Sequence, residues 1–476
     1  MKLFLLFLLF IFIFNFNFYK AFINFNLINR FMRHNFNESL VFNHDITINL
    51  SLQNQDIFKN LNGFYGLIGP NIQMNSIPNE ISNLNEKKSN IIFSLYDLFT
   101  GDGLIQGVFF DQGKLTFVKH LIKTEKVLYE RQNGKIIQNL LIKIIHGILN
   151  EFGIFPNLYG TANTAILNNG LKNYALFERD SPYLININFQ NKNINTIEKI
   201  NIENLKHFSG HSKSLKNGNI ETIDYRIFGK KVIYYLLNSD LKIIDQFEFK
   251  FKYIPIIHDF YSNDKLLILI DSPLKINPKK LFCKIPISIK PNENTYIYVF
   301  DKFNKSVETY LCDSSFFTFH YSFVEDFENN IFIYLSIYDT FNFNDLKING
   351  KYRKIEINKK TKKVTIIQNP ELEKYNLDFP IPFEDKIILR NYEYPRINGF
   401  IIVDKLTIFK KIFFENKNIC GEPSIFYLNE IPYLIFFNIE NNLDLISFLN
   451  LRDYQIIDIN IPCNLNLGFH SIFLQK

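Results

Sequence analysis

Four histidines of this 476-residue chain stand in short strand-like contexts: FSGHSK around His211, PIIHDF around His258, FTFHYS around His320 and LGFHSIF around His470. Neutral imidazoles are good ligands for a transition metal, so four of them in one place would make a metal centre. Their separations of 47, 62 and 150 residues exclude a local zinc finger. Strands of different propeller blades converging on a central axis would bring all four together. The other five histidines, His34, His44, His120, His146 and His207, lie in leader, helix or variable contexts. No GxxxxGKS/T, GxSxG or HExxH occurs, which counts against P-loop, α/β-hydrolase and zincin chemistry. Cys283, Cys312, Cys420 and Cys463 are widely spaced with no CxxC. They read as small core residues, with neither a thiolate site nor a disulfide framework.

The elements that must position the histidines read as β-strands. Ile254 to Leu274 predicts two of them, IPIIHDF and LLILID, joined by the polar turn Ser262-Asn263-Asp264. LLILID is a continuous apolar run, the pattern of a strand buried on both faces. From about Asn60 the same style recurs in IIFSLYDL (91–98), LIQGVFF, KLTFVKHLI, NIETIDYRIF and KVIYYLLN, with turns at DQGK (111–114), NNGLK, KNGN and NGK. Hundreds of residues of this pattern predict an all-β protein, a propeller rather than a single sandwich. One segment departs from it. Lys135 to Phe152 places Ile136/Ile137, Leu140/Leu141, Ile144/Ile145 and Ile148/Leu149 at four-residue steps, the apolar face of a helix. Such a face packs on its own domain or dips into a peripheral membrane surface.

The formal charge of +6 is small for this length and points away from nucleic acid. The abundance of Phe (52) and Tyr (25) without Trp reads as coding bias as much as function. At the N-terminus, Met1-Lys2 is followed by 12 apolar residues, LFLLFLLFIFIF, and no acidic residue precedes Glu38. Residues 1–35 therefore read as a targeting leader. Its apolar start and basic continuation (Lys20, Arg30, Arg33) fit entry to a plastid through the secretory route, and equally a plain signal peptide or signal anchor leading to the endoplasmic reticulum or secretion. Asn37, Asn49 and Asn304 lie in N-x-S sequons, which matter only in a secretory lumen.

Seven motifs in order carry a family resemblance: NGFYGLIGP (62–70), YDLFTGDGLIQGVFFDQGKLTFVKHLIKT (96–124), ANTAILNNGLKNYALFERDSPYLIN (162–186), HDFYSNDKLLILIDSPL (258–274), YEYPRIN (392–398), GEPSIF (421–426) and GFHSIF (468–473). The chain resembles the carotenoid cleavage oxygenases, the family of carotenoid dioxygenases, stilbene-cleaving oxygenases and the retinal-pigment-epithelium isomerase. The resemblance implies a single seven-bladed β-propeller over 60–476, with a loop and helix cap that includes 135–152. It implies one Fe(II) on the axis held by His211, His258, His320 and His470. It also implies three carboxylates behind them: Glu178 in ALFERD, Glu393 in YEYP and Glu422 in GEPS. Such carboxylates offset the metal charge and fix imidazole tautomers. Asp259, beside His258, reads as a structural hydrogen-bonding partner. The implied activity is cleavage of a conjugated C=C bond of a carotenoid or apocarotenoid by O2, giving two carbonyl products. Retinoid isomerohydrolysis, stilbene cleavage and non-catalytic binding of an apolar ligand are the alternatives. The chain departs from the family pattern at Leu67-Ile68, where Arg-Asn is usual, at Thr100, in the SGHSK context of His211, and at Ser471.

Overall fold

The computed structural model describes residues 43–476 apart from 52–54, 75–94, 134–148, 151–156, 277–286, 342–347 and a few single positions. The leader 1–35 and nearly all of the expected helix 135–152 lie outside the described residues. Seven antiparallel sheets follow one another along the chain as the blades of a β-propeller. Blade one joins both ends of the domain: strands Asn43–Ile48, Asn62–Pro70, Gly103–Asp111 and Lys114–Leu121, with His470–Gln475 as its innermost strand. Blades two to seven begin with the inner strands Ala165–Asn168, Lys213–Ser214, Tyr261–Ser262, Phe317–Asp326, Leu377–Phe383 and Lys417–Ile419. A small hairpin, Leu274–Ile276 with Ile287–Ile289, is appended to blade four. Among the described residues no helix is long and apolar enough to cross a membrane.

Side-chain alternation builds the core between blades. Leu266–Asp271 is buried at every position. Leu266, Ile268 and Ile270 face blade five and pack with Tyr321, Ile331 and Ile333. Leu267 and Leu269 point the other way, onto Ile223, Val232 and Phe249 of blade three. A period of two thus serves two neighbours, which is why the strand reads as an unbroken apolar run. The 111–114 turn joins two strands through Gln112 (φ 48°) and Gly113 (φ 79°). Two consecutive positive φ values make the tight hairpin whose twist suits its strands.

Two expected strands are corrected. Ile254–Phe260 is irregular, and the strand before LLILID shrinks to Tyr261–Ser262. Pro255 has no N–H for a ladder, and the segment spans from blade three to blade four. Leu95–Thr100, the end of IIFSLYDL, is a short helix. Asn163 Nδ2 donates to the carbonyls of Phe99 and Gly101, satisfying acceptors at the helix end that a strand would have paired.

Blade one closes the ring by pairing Ile68 with His470 and Gly63 with Gln475. Here the Leu67-Ile68 departure has a packing account. Leu67 is buried, and a Cβ built on Gly468 would come within 2.2 Å of its Cγ. The absent side chain at Gly468 lets the lead-in to the last strand cross Leu67 closely. Gly468 N–H then bonds the Cys420 carbonyl at 2.7 Å, and Phe469 N–H bonds the Ile68 carbonyl at 2.7 Å. Those bonds set the position of His470.

Candidate metal centre

Each of four blades brings one histidine to the axis beside its inner strand. His211 and His258 precede Lys213–Ser214 and Tyr261–Ser262, His320 lies within Phe317–Asp326, and His470 opens the last strand. His320 sits where the pairing register shifts between Thr318 and Tyr321. Such an irregularity re-aims a side chain that a regular ladder would hold across the pleat. One nitrogen from each of the four rings lies within 4.8 Å of the others. His211 Nε2 and His258 Nε2 are 2.9 Å apart.

The other three blades each supply a carboxylate. His258 Nδ1 pairs with Glu178 of blade two. His320 Nδ1 meets Asp378 Oδ1 of blade six at 3.0 Å. His470 Nδ1 meets Glu422 Oε2 of blade seven at 3.2 Å. The carboxylates are themselves oriented. Tyr338 O–H donates to Asp378 at 2.5 Å, Tyr225 O–H to Glu178 at 3.3 Å, and Ser471 N–H to Glu422 at 2.9 Å. A carboxylate on Nδ1 fixes the proton there and turns the Nε2 lone pair toward the axis.

Burial, reinforced by the neighbouring imidazoles, pushes His211 well below the usual imidazole range, so this ring is neutral. Burial also lowers His470 against the pull of Glu422. For His320 burial works downward, but the charge and hydrogen bond of Asp378 outweigh it and raise the pKa. Asp378 and Glu422 are both held low: burial would raise them, and their histidine partners prevail.

The donor set fits a cation. Among the described residues the buried His320 Nε2 has no hydrogen-bond partner. Two Nε2 atoms 2.9 Å apart cannot both offer lone pairs to each other without repulsion, and a shared positive ion between them relieves it. Four imidazole donors suit a borderline transition metal such as ferrous iron.

The structure brings together His211, His258, His320, His470, Glu178 and Glu422, and it does not bring Glu393 to them. Glu393 ends the strand Lys386–Glu393 of blade six, is exposed, and accepts a hydrogen bond from Asn398 Nδ2. The position behind His320 belongs to Asp378 instead. Sequence reasoning passes over Asp378 because YEYPRIN supplies a longer match. The available signal is LDFP: Asp378-Phe379-Pro380 is a second acid–aromatic–proline tripeptide in the same blade. Asp259 accepts Lys213 Nζ at 2.5 Å and the Tyr321 N–H at 3.3 Å, so it ties blades three, four and five together behind the histidines.

Aromatic rings wall the centre. Phe319 meets His258 edge-on at 5.1 Å, Phe99 is 6.4 Å from Phe319, and Phe379 packs on His320 and His470.

The family profile described as retinal pigment epithelial membrane protein matches residues 45–408. The chain belongs to this family, that of the carotenoid cleavage oxygenases. It is 26% identical over 261 residues to carotenoid 9,10(9',10')-cleavage dioxygenase 1 of Arabidopsis thaliana, a match covering 52% of this chain and 44% of the relative. A carotenoid 9,10(9',10')-cleavage dioxygenase of Crocus sativus is 25% identical over 204 residues, covering 39% of this chain and 37% of its own. The match thus spans less than half the length of these curated relatives. The fold is similar to that of the Synechocystis apocarotenoid oxygenase, with a TM-score of 0.70 and 16% identity in the Glu150Asp mutant structure, over 91% of this chain and 96% of the other. It is similar also to a Pseudomonas brassicacearum lignostilbene dioxygenase, with a TM-score of 0.69 and 15% identity over 92% and 95%.

Proposed function

We propose that the protein is a non-haem Fe(II) dioxygenase that cleaves a conjugated C=C bond of a carotenoid or apocarotenoid into two carbonyl products. The observation that carries this reading is the convergence of four histidine nitrogens, with carboxylates behind three of the rings. His211, His258, His320 and His470 would hold the iron, which when bound would supply the binding and activation of dioxygen. Glu178, Asp378 and Glu422 fix the tautomers and orientations of His258, His320 and His470. A bound dication would offset the negative charge of Asp378 and Glu422, both of which are held low. The chain's further contribution is shape and dryness: Phe319, Phe99 and Phe379 offer apolar surface to a polyene and keep bulk water from the reacting bond.

The test is the iron-to-protein ratio of protein lacking residues 1–35, measured by elemental analysis beside His258→Ala. About one iron in the wild type and none in the variant is expected, because the variant loses one of four ligands. A folded wild type that carries no metal and refuses added Fe(II) would leave an apolar-ligand-binding propeller as the better account. Labelled dioxygen then tells cleavage from isomerohydrolysis, since only cleavage places label in the carbonyl products. The leader pattern supports delivery to a plastid through the secretory route. Residues 1–60 fused to a fluorescent protein should direct it there, and retention in the endoplasmic reticulum or secretion would overturn that assignment.

A further inference from the structure

Among the described residues, Arg390 is a deep cation that pairs with no carboxylate. It lies on Lys386–Glu393 of blade six, directly across the ladder from Asp378. Its guanidinium carbon stands 3.6 Å from the centroid of the Phe379 ring. That ring packs at 4.5 Å on His320 and at 4.9 Å on His470. The charge is therefore one aromatic ring away from two of the four histidines. Phe379 reaches this place with φ 58°, where the ladder slips between Asp378 and Ile381.

Four other inward-reaching cations hold carboxylates. Lys126 holds Asp102, Lys302 holds Glu221, Arg353 holds Asp339 and Glu373, and Lys417 holds Glu440 and Asp458. Among the described residues the Arg390 side chain makes no hydrogen bond and no ion pair, and its close partner is the face of Phe379. Burial pulls its pKa down to about 10, against Asp378 and Glu422, so it stays charged at neutral pH. Yet the residue is only half-buried, and its nitrogens are not among the sealed, unpartnered atoms of the interior. His211 and His470 combine depth with partial access in the same way. Arg390 thus keeps free, planar N–H donors one aromatic ring away from the histidine cluster.

A wholly hydrocarbon ligand lying against those donors would strip water from the guanidinium and return no acceptor, which is costly. A carboxylate would meet the donor fork with charge-assisted bonds. We propose that Arg390 receives a carboxylate carried by the substrate, so that the enzyme prefers a conjugated polyene acid to an uncharged polyene. This rests on the oxygenase reading of the same site and names its substrate class more narrowly.

The experiment compares anaerobic equilibrium binding of retinoic acid and its methyl ester to the iron-loaded protein, followed by the polyene absorbance. The wild type should bind the acid about tenfold or more tightly than the ester. In Arg390→Met the acid-to-ester ratio should fall to about one, with the iron-to-protein ratio kept, and Arg390→Lys should retain part of the preference. Equal binding of acid and ester by the wild type overturns the proposal and leaves the oxygenase reading standing; it would mean that Arg390 serves charge balance alone. Ester binding that rises to the acid's level on adding acetate also overturns it, by assigning Arg390 to a free carboxylate. A wild type that loads iron but binds neither polyene overturns both readings. The wild-type ratio decides the matter even where Arg390→Met fails to fold.

Discussion

Blade six contains two tripeptides of the same design, Asp378-Phe379-Pro380 and Glu393-Tyr394-Pro395, and they have opposite fates. Asp378 lies on the innermost strand, is buried, and bonds a histidine and a tyrosine. Glu393 ends the next strand outward, is exposed, and bonds an asparagine. The chemistry of the two acids is nearly the same. What differs is which strand carries them and where the ladder slips. Only the inner strand of a blade borders the axis, and the slip between Asp378 and Ile381 turns Asp378 toward His320. A short motif can therefore be matched at the wrong copy while the blade is identified correctly.

The largest expected effect tests this contrast directly. Asp378→Ala leaves His320 Nδ1 and the Tyr338 hydroxyl without their acceptor. Removing such a partner behind a metal-binding histidine typically weakens metal binding by about 10–100-fold. Breaking the buried pair should also cost about 3 kcal/mol of stability. Asp378→Asn keeps an acceptor and removes the charge, so it should fall between wild type and Asp378→Ala. Iron titration with a competing chelator, together with chemical denaturation, measures both effects. Metal affinity unchanged in Asp378→Ala would break the contrast.

The same contrast shows what the residues made legible. The all-β character, the doubly buried strand Leu266–Asp271 and the four histidines could be read because each depends on local pattern or a distinctive context. Glu178 and Glu422 could be read because each has one matching motif. Asp378 could not, since choosing between two copies needs the strand order of the blade. Arg390 was invisible for a related reason: its proximity to Phe379 depends on the register that sets it across from Asp378. The Ile254–Phe260 strand failed because apolar alternation persists in a linker crossing between blades, where the second ladder partner is missing. Leu95–Thr100 failed because its carbonyls found a side chain, Asn163, in place of a neighbouring strand.

A third carboxylate separates burial from pairing. Asp271 is as enclosed as Asp378, but its acceptors are used by the N–H groups of Lys252 and Tyr253 rather than by a histidine. Burial raises its pKa from 3.8 to about 6, against the hydrogen bonds from those two N–H groups, whereas Asp378 is held low. A carboxyl with a raised folded-state pKa binds its proton more tightly in the native state. Its stabilising contribution is present in full below the unfolded pKa and is lost as pH rises through the window from about 4 to about 6. Asp271→Asn should remove that slope, so the variant gains on the wild type by up to about 3 kcal/mol between pH 4 and pH 7. Denaturation curves of both proteins at several pH values measure the difference. Parallel profiles would mean that the backbone N–H groups already offset the burial of Asp271.

The smallest expected effect belongs to the other tripeptide. Glu393 lines a cleft of about 520 Å³ with Asn376, Asn391 and Asn398, outside the cluster of histidines. Its hydrogen bond from Asn398 is exposed, and Asn391 Nδ2 supports Asn398 independently at 2.7 Å. Glu393→Gln preserves an acceptor for that bond. The variant should keep the wild-type iron-to-protein ratio and change stability by no more than about 0.5 kcal/mol. If Glu393→Gln lost iron while Asp378→Asn kept it, the outer copy of the tripeptide would be the one that supports the histidines. The register of blade six would then have to place Lys386–Glu393, rather than Leu377–Phe383, against the axis.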